Sequence, residues 1–165
     1  MDGKRADLLR GHLDGRLLYH MKEISQPVKP RDLGFIGKDR LFAQFGEIEP
    51  ETFRYKKVEL TVDGIPYLAE CAFGYAPDLD RRHLCTGLNW SIAIGGNPFK
   101  SLGPYGDDDG YGDGLSAILT DQRAGPNEPV VFFLHLASPR LAFLDKGKSS
   151  VALPREVDKA ILCVR

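Results

Sequence analysis

The sequence predicts a layered fold of α+β or α/β type, one sheet with helices on one side. Three observations predict it. From Arg54 onward the apolar residues recur at every second position around Asp63-Gly64, a two-residue hairpin signal. Val130 to Ala137 is nearly continuously apolar, which marks a strand buried on both faces and therefore central. A last segment opens at Pro154 and carries Val157, Ala160, Ile161 and Val164 at i, i+3, i+4 and i+7, the spacing of one helical stripe.

The chain has 165 residues, 42% of them apolar and 27% charged, with a formal net charge of -1. That composition excludes wholesale disorder, and near-neutrality removes any global pull toward nucleic acid or an anionic membrane. The longest apolar run, Pro129 to Leu134, is too short to span a bilayer. Residues 1–12 alternate charged and apolar residues without the apolar stretch of a signal peptide. Cys71, Cys85 and Cys163 are odd in number, widely spaced and form no CxxC, which fits a reduced, cytoplasmic protein with buried thiols.

Taken in order, residues 1–50 read as a leader and connector, and residues 51–165 as the α+β domain. Asp7 to Met21 has a helical pattern that Gly11 and Gly15 weaken. Pro27 and Pro30 break it, Lys29 to Gly37 reads as extended and turn-rich, and Asp39 to Phe45 as a short helical turn. The first strand starts at Arg54, with Val58, Leu60 and Val62 on one face and Lys57, Glu59 and Thr61 on the other. The return strand, Ile65 to Tyr75, aligns Tyr67, Ala69, Cys71, Phe73 and Tyr75. A third strand is expected over Leu84 to Ile94. Leu115 to Arg123 is a short helix with Leu115, Ile118 and Leu119 inward, stopped by Gly125-Pro126. After the central strand, Asp145 to Ser150 is a loop, and the final helix has Pro154 at its first position, Glu156 and Asp158 early and Arg165 late.

Few residues carry chemistry at a diagnostic spacing. Asp107 to Gly114 clusters carboxylates as calcium requires, but Tyr111 and Ile118 occupy the fifth and twelfth positions, where an EF-hand needs ligands. The same stretch contains the D-x-G-x-G string of GHKL-type ATPases without its helix and loop context, so a solvated loop is the preferred reading. His12, His20, His83 and His135 have no metal-like spacing. His135, in the most apolar strand, is either a hydrogen-bonded core residue or a catalytic base, with Ser138 three residues on. Gly147-Lys148-Ser149 is not a Walker A loop, because residue 142 is Ala instead of Gly. Lys148 on a glycine-flexible loop is either a surface lysine or a device for reaching a phosphate. Arg54, Lys56, Lys57, Arg81, Arg82 and the Lys22 to Arg31 stretch form small basic clusters beside Tyr55 and Tyr67, either a solvated face or a weak nucleic-acid surface.

Five segments, in this order, resemble the transducer domain of the topoisomerase VI B subunit, the ATPase subunit of type IIB DNA topoisomerases. Leu33 to Gly37 resembles the family's Leu-Ser-Pro-Ile-Gly lead-in to the transducer. Pro66 to Tyr75 is similar to its Pro-Phe-x-Val-Glu-Val-Gly-Ile-Ala-Tyr strand. Gly87-Leu88-Asn89-Trp90 stands at an aromatic-x-Asn strand, with Pro98 downstream. Pro129 to Ser138 resembles Pro-Val-x-Val-Leu-Val-His-Val-Ala-Ser, His135 and Ser138 included. Pro154 to Ile161 is similar to the start of the family's long terminal helix. Together they span roughly residues 30–162.

The resemblance implies an α+β fold with a single mostly antiparallel sheet, helices on one face and the left-handed βαβ crossover of transducers. It also implies that Lys148 is the lysine that contacts the γ-phosphate of ATP. Ser149-Ser150 departs from the family's acidic-plus-Ala pair, and the Asp/Gly loop has no counterpart there. No GHKL nucleotide-binding domain is present in the sequence. The chain is therefore expected not to be catalytic alone, and to use ATP and Mg through a GHKL-type ATPase domain in cis or trans. A DNA-cleaving A-type subunit and DNA are the further partners the resemblance implies, with no membrane and no resident metal. The function implied is to sense bound ATP through Lys148 and relay that state through the terminal helix. The rivals are a non-catalytic interaction module on the same fold and a small enzyme using His135.

Overall fold

Asp63 and Gly64 take φ values of 50° and 76°, the positive-φ pair of a type I′ turn. They join strand β1 (Arg54–Val62) to β2 (Ile65–Tyr75). The register is one-to-one, from Val62 opposite Ile65 to Arg54 opposite Phe73. The computed structural model describes residues 15–46, 48–93, 96–106 and 113–163. Before the hairpin come helix α1 over residues 15–24, a 3-10 turn at Pro30–Leu33 and α2 (Lys38–Gln44). After it come β3 (His83–Leu88), β4 (Ser91–Ile92), α3 (Gly114–Asp121), β5 (Val130–Ala137), β6 (Ala142–Phe143), β7 (Val151–Ala152) and α4 (Arg155–Leu162).

Five strands form one sheet in the order β1-β2-β5-β3-β4, while β6 and β7 pair separately. Only the β3–β5 pair is parallel, so the sheet is mostly antiparallel and the fold is α+β. β5 is central, as its apolar run predicts. The path from β3 to its parallel neighbour runs through β4 and α3.

A central strand apolar on both faces needs cover on both, and it has it. On one face Tyr67, Ala69 and Cys71 of β2 and Leu134 and Leu136 of β5 pack with Leu115 and Leu119 of α3 and Val157 and Ile161 of α4. On the other, Ala72, Val131 and Phe133 pack with Leu41 of α2, Ile48 and Phe53. The expectation of helices on one face is corrected accordingly: α2 lies against the opposite face. Part of the segment expected as a leader thus lies inside the packed fold, with Leu41 at 0% exposure. Gly74 is glycine because a Cβ there would collide with the Ile48 side chain.

Two boundaries differ from expectation. The strand expected over Leu84 to Ile94 stops at Leu88, because Asn89 and Trp90 turn at φ 46° and 68° and β4 returns antiparallel along β3. Asn tolerates that conformation through its short polar side chain, and Asn89 Oδ1 accepts a 2.8 Å hydrogen bond from Ser138 N–H. Pro154 is the residue before α4 instead of its first helical position, and its carbonyl accepts the Asp158 N–H at 2.9 Å. Of the inward residues expected for the last two helices, Leu115, Leu119, Val157 and Ile161 are buried and Ile118 is half-buried against the same core. Val164 and Arg165 lie outside the described residues, as does the start of the Asp7 to Met21 helix; Leu17, Leu18 and Met21 of α1 are exposed.

Candidate functional site

Lys148 sits on the loop between β6 and β7, a hairpin that pairs Phe143 with Val151 and Ala142 with Ala152. Asp145 shapes that loop. Its carboxylate accepts the N–H of Ser149 at 2.9 Å and of Ser150 at 3.0 Å, while its carbonyl accepts the Lys148 N–H at 3.2 Å. Burial pushes the Asp145 carboxyl up, but these backbone donors outweigh it and the group titrates below its ordinary value. The loop closes with Leu144 N–H donating to Ser150 O at 2.9 Å. Lys148 itself is at φ 55°, a conformation unfavourable for a residue with a Cβ. Its Nζ lies 5.9 Å from the Phe143 ring centre, and among the described residues no carboxylate comes within ion-pair distance. The result is an exposed ammonium on a hydrogen-bonded loop, suited to donating a charge-assisted hydrogen bond to an anionic oxygen.

The loop forms one wall of an open cleft of about 640 Å³. The β3–β4 turn, with Leu88, Asn89 and Ile92, and Pro98 also line it. The backbone behind Lys148 is tied to the core. Val151 is fully buried; its N–H donates to Pro98 O and its carbonyl accepts the Ser101 hydroxyl, both at 2.8 Å. Gly103 N–H donates to Asp158 of α4 at 2.7 Å. Hydrogen bonds and short backbone segments thus run from the lysine loop to the terminal helix.

A second constellation lies on the α2 face of the sheet. Glu70 of β2 is directly opposite His135 of β5, and both are buried. The Glu70 carboxylate accepts the Ile36 N–H at 2.9 Å, the Gly37 N–H at 2.8 Å, the Tyr55 hydroxyl at 2.8 Å and His135 Nδ1 at 3.2 Å. Gly37 reaches this position at φ 91°, where glycine is the residue that fits. Burial raises the Glu70 carboxyl, but hydrogen bonds from His135, Ile36, Gly37 and Tyr55 outweigh it and hold it at about 2. Burial, and then the bond to Glu70, pushes the Tyr55 phenol well above its ordinary value.

These contacts decide between the two readings of His135. Its Nε2 accepts the Trp90 N–H at 3.4 Å, so the proton is assigned to Nδ1 and points at Glu70. Both nitrogens are engaged and the ring is 2% exposed. The Ser138 hydroxyl bonds to Arg140 instead of the imidazole. His135 is a hydrogen-bonded core histidine. Glu70 was missed from sequence; the signal for it is a single acid in an otherwise apolar strand.

The basic clusters are largely consumed by the fold. Arg54 donates to the Glu51 carbonyl at 2.7 Å, Lys56 to that of Cys163 at 2.8 Å and Arg82 to that of Ala124 at 2.7 Å. Lys57 pairs with Glu59 at 2.7 Å and covers the Phe35 ring at 4.1 Å. All three cysteines are free, and burial pushes the Cys71 thiol up to about 12. The Asp107 to Gly112 part of the acidic loop lies outside the described residues. Among the described residues no three His, Cys, Asp or Glu side chains gather as metal ligands, and no helix is long and apolar enough to cross a membrane.

No family model matches the chain, and no curated protein matches it. Among solved structures it is similar to the B-subunit of the DNA gyrase from Myxococcus xanthus, at 15% identity and a TM-score of 0.44. The likeness covers 73% of this chain and 39% of that subunit, so the chain spans about two-fifths of its length.

Proposed function

We propose that this chain is the transducer-like domain of a type IIB topoisomerase B-like ATPase of the GHKL class. On this reading it senses bound ATP through Lys148 and relays that state to a partner subunit. The observation that carries it is the Lys148 loop: an ammonium with no carboxylate partner among the described residues, held at positive φ on a loop that Asp145 shapes. Ordering a cation this way suits a lysine that must present its charge outward. The five ordered sequence resemblances support the same reading, as does the mixed β3–β5 pairing across α3, for which a left-handed crossover is part of the proposal.

The companion GHKL domain, in cis or trans, would hold ATP and Mg, and Lys148 would donate to the γ-phosphate once the two meet. The relay would run through Val151, Pro98 and Ser101 to the Gly103–Asp158 bond and α4. A DNA-cleaving A-type subunit is the proposed recipient, DNA the eventual substrate of the assembly and the cytoplasm its location. The proposed domain is residues 51–165, with the Ile36 to Ile48 part of the preceding connector packed against its sheet.

The test is turnover in an assembly containing the ATPase domain. Lys148→Ala is expected to lower ATP hydrolysis while leaving the chain's own stability within about 0.5 kcal/mol, since an exposed loop lysine contributes little to folding. Lys148→Arg should recover part of the rate. Unchanged turnover in Lys148→Ala would refute the sensor and favour the interaction module. The observation favouring that second reading is α1, where Leu17, Leu18 and Tyr19 are at least 60% exposed.

A further inference from the structure

The two edges of the five-stranded sheet are unlike. β4 ends it with two residues, a length that offers little to a pairing strand. β1 ends it with nine, Arg54–Val62, in unbroken one-to-one register with β2, with neither proline, glycine nor bulge. The type I′ turn fixes which backbone groups point outward. Val62 and Ile65, flanking the two-residue turn, form a hydrogen-bonded pair, so Val62, Leu60, Val58, Lys56 and Arg54 bond inward to β2. Tyr55, Lys57, Glu59 and Thr61 then direct their N–H and C=O groups away from the sheet. Among the described residues nothing pairs with them.

Charged side chains usually protect such an edge. Here the charges alternate in sign on one face, with Lys57 and Glu59 already 2.7 Å apart. A second β1 laid antiparallel with Val58 opposite Val58 places Lys57 opposite the copy's Glu59, and Glu59 opposite its Lys57. Tyr55 and Thr61 then face each other at both ends, and the outward-pointing groups are the ones brought into hydrogen-bonded pairs. Four charges alternate in sign around the two-fold axis. Sliding the copy by two residues either way sets Lys57 against Lys57 or Glu59 against Glu59. Parallel in-register stacking sets like against like throughout. Of these pairings, only the first satisfies both the backbone and the charges.

We propose that the outer edge of β1 is an interaction surface for a second copy of this chain, forming an antiparallel β1–β1 dimer with its two-fold axis at Val58. The sheet would continue across the interface as ten strands, in the isologous geometry of a closed dimer. The surface is independent of Lys148 and of the function proposed above.

Sedimentation velocity of the full chain over a concentration series tests it. The expected result is a concentration-dependent dimer that weakens as salt is raised, because exposed ion pairs are screened. Glu59→Lys sets like charges opposite each other at two places and should raise the dissociation constant about tenfold or more. Combining it with Lys57→Glu restores opposite signs and should restore the dimer. Glu59→Pro removes one outward N–H while leaving the β2 ladder intact, as proline does on an edge; it should also be monomeric, with unchanged far-ultraviolet circular dichroism. A chain that stays monomeric at every concentration overturns the proposal. So does a Glu59→Lys variant that dimerises like the parent, or a double variant that fails to recover.

Discussion

Replacing Glu70 removes the acceptor of four donors at once. In Glu70→Ala the N–H groups of Ile36 and Gly37, the Tyr55 hydroxyl and His135 Nδ1–H all lose their partner. An orphaned buried donor costs about 1–3 kcal/mol, and a hydrogen bond to a charged group is worth about 1.5–3 kcal/mol. Tyr55, Ile36 and Gly37 are partly exposed and regain water, whereas His135 does not. The expected loss is therefore about 4 kcal/mol, a large share of the 5–15 kcal/mol typical of a domain. At roughly 2–4 °C per kcal/mol for this size, Tm should fall by about 8–16 °C. Glu70→Gln keeps one acceptor oxygen but turns its amide toward a donor, and should cost about half as much. The pH dependence has a definite sign. The carboxyl titrates at about 2 when folded against 4.5 for the free group, so the unfolded chain binds the proton first. The stabilisation is complete above pH 4.5 and is lost as pH falls toward 2. Urea denaturation across that range should show an acid-side decline in the parent that flattens in Glu70→Gln. Hydrogen exchange at Ile36 and Gly37 reports their bonds to Glu70 directly. A Glu70→Ala loss below about 1 kcal/mol would refute the reasoning, showing that water satisfies these donors without penalty.

Two further substitutions test the packing. Ile161 is 6% exposed in the core between α4 and the sheet, so Ile161→Asp should destabilise by roughly 2–4 kcal/mol in chemical denaturation. Asn89→Ala removes both the acceptor for Ser138 N–H and a side chain tolerant of positive φ. It should cost about 1–2 kcal/mol by thermal melting, and Asn89→Gly less, since glycine restores the turn conformation.

The parts of the fold legible in sequence are those whose signal is local. Asp63-Gly64 announces its own turn, Val130 to Ala137 its own burial, and Val157 and Ile161 their own helical face. The β3–β4 turn was hidden because Leu84 to Ile94 alternates through it, and nothing in Trp90 advertises positive φ. The second core was hidden because Ile36, Leu41 and Ile48 fall in separate segments, of which only Leu41 is helical; they are gathered by the apolar second face of β5. Glu70 escaped notice for the same reason. Three of its four partners lie more than thirty positions upstream or sixty downstream, and only the assembled sheet brings them together. The Lys148 site rests on a resemblance, since a lysine beside glycine and serine is chemically ordinary. Its loop became distinctive once Asp145 was seen to hold it.

The central position of β5 has a consequence for the order in which the molecule can assemble. β2 and β3 follow each other in the chain but never share a hydrogen bond, because β5 lies between them. The β1–β2 hairpin can close from its own residues on a timescale of about 1–10 μs. β3 has only the two-residue β4 as a local partner and must otherwise wait for Val130–Ala137, some forty residues beyond its own end at Leu88. As the chain emerges N-terminus first, β2 and β3 leave between them the place of one strand, which nothing fills until β5 is made. Closing it is a long-range event with a large loop entropy, and the segment that fills it is the most apolar stretch of the sequence. The strand that completes the sheet is thus also the one most exposed to mispairing before it arrives.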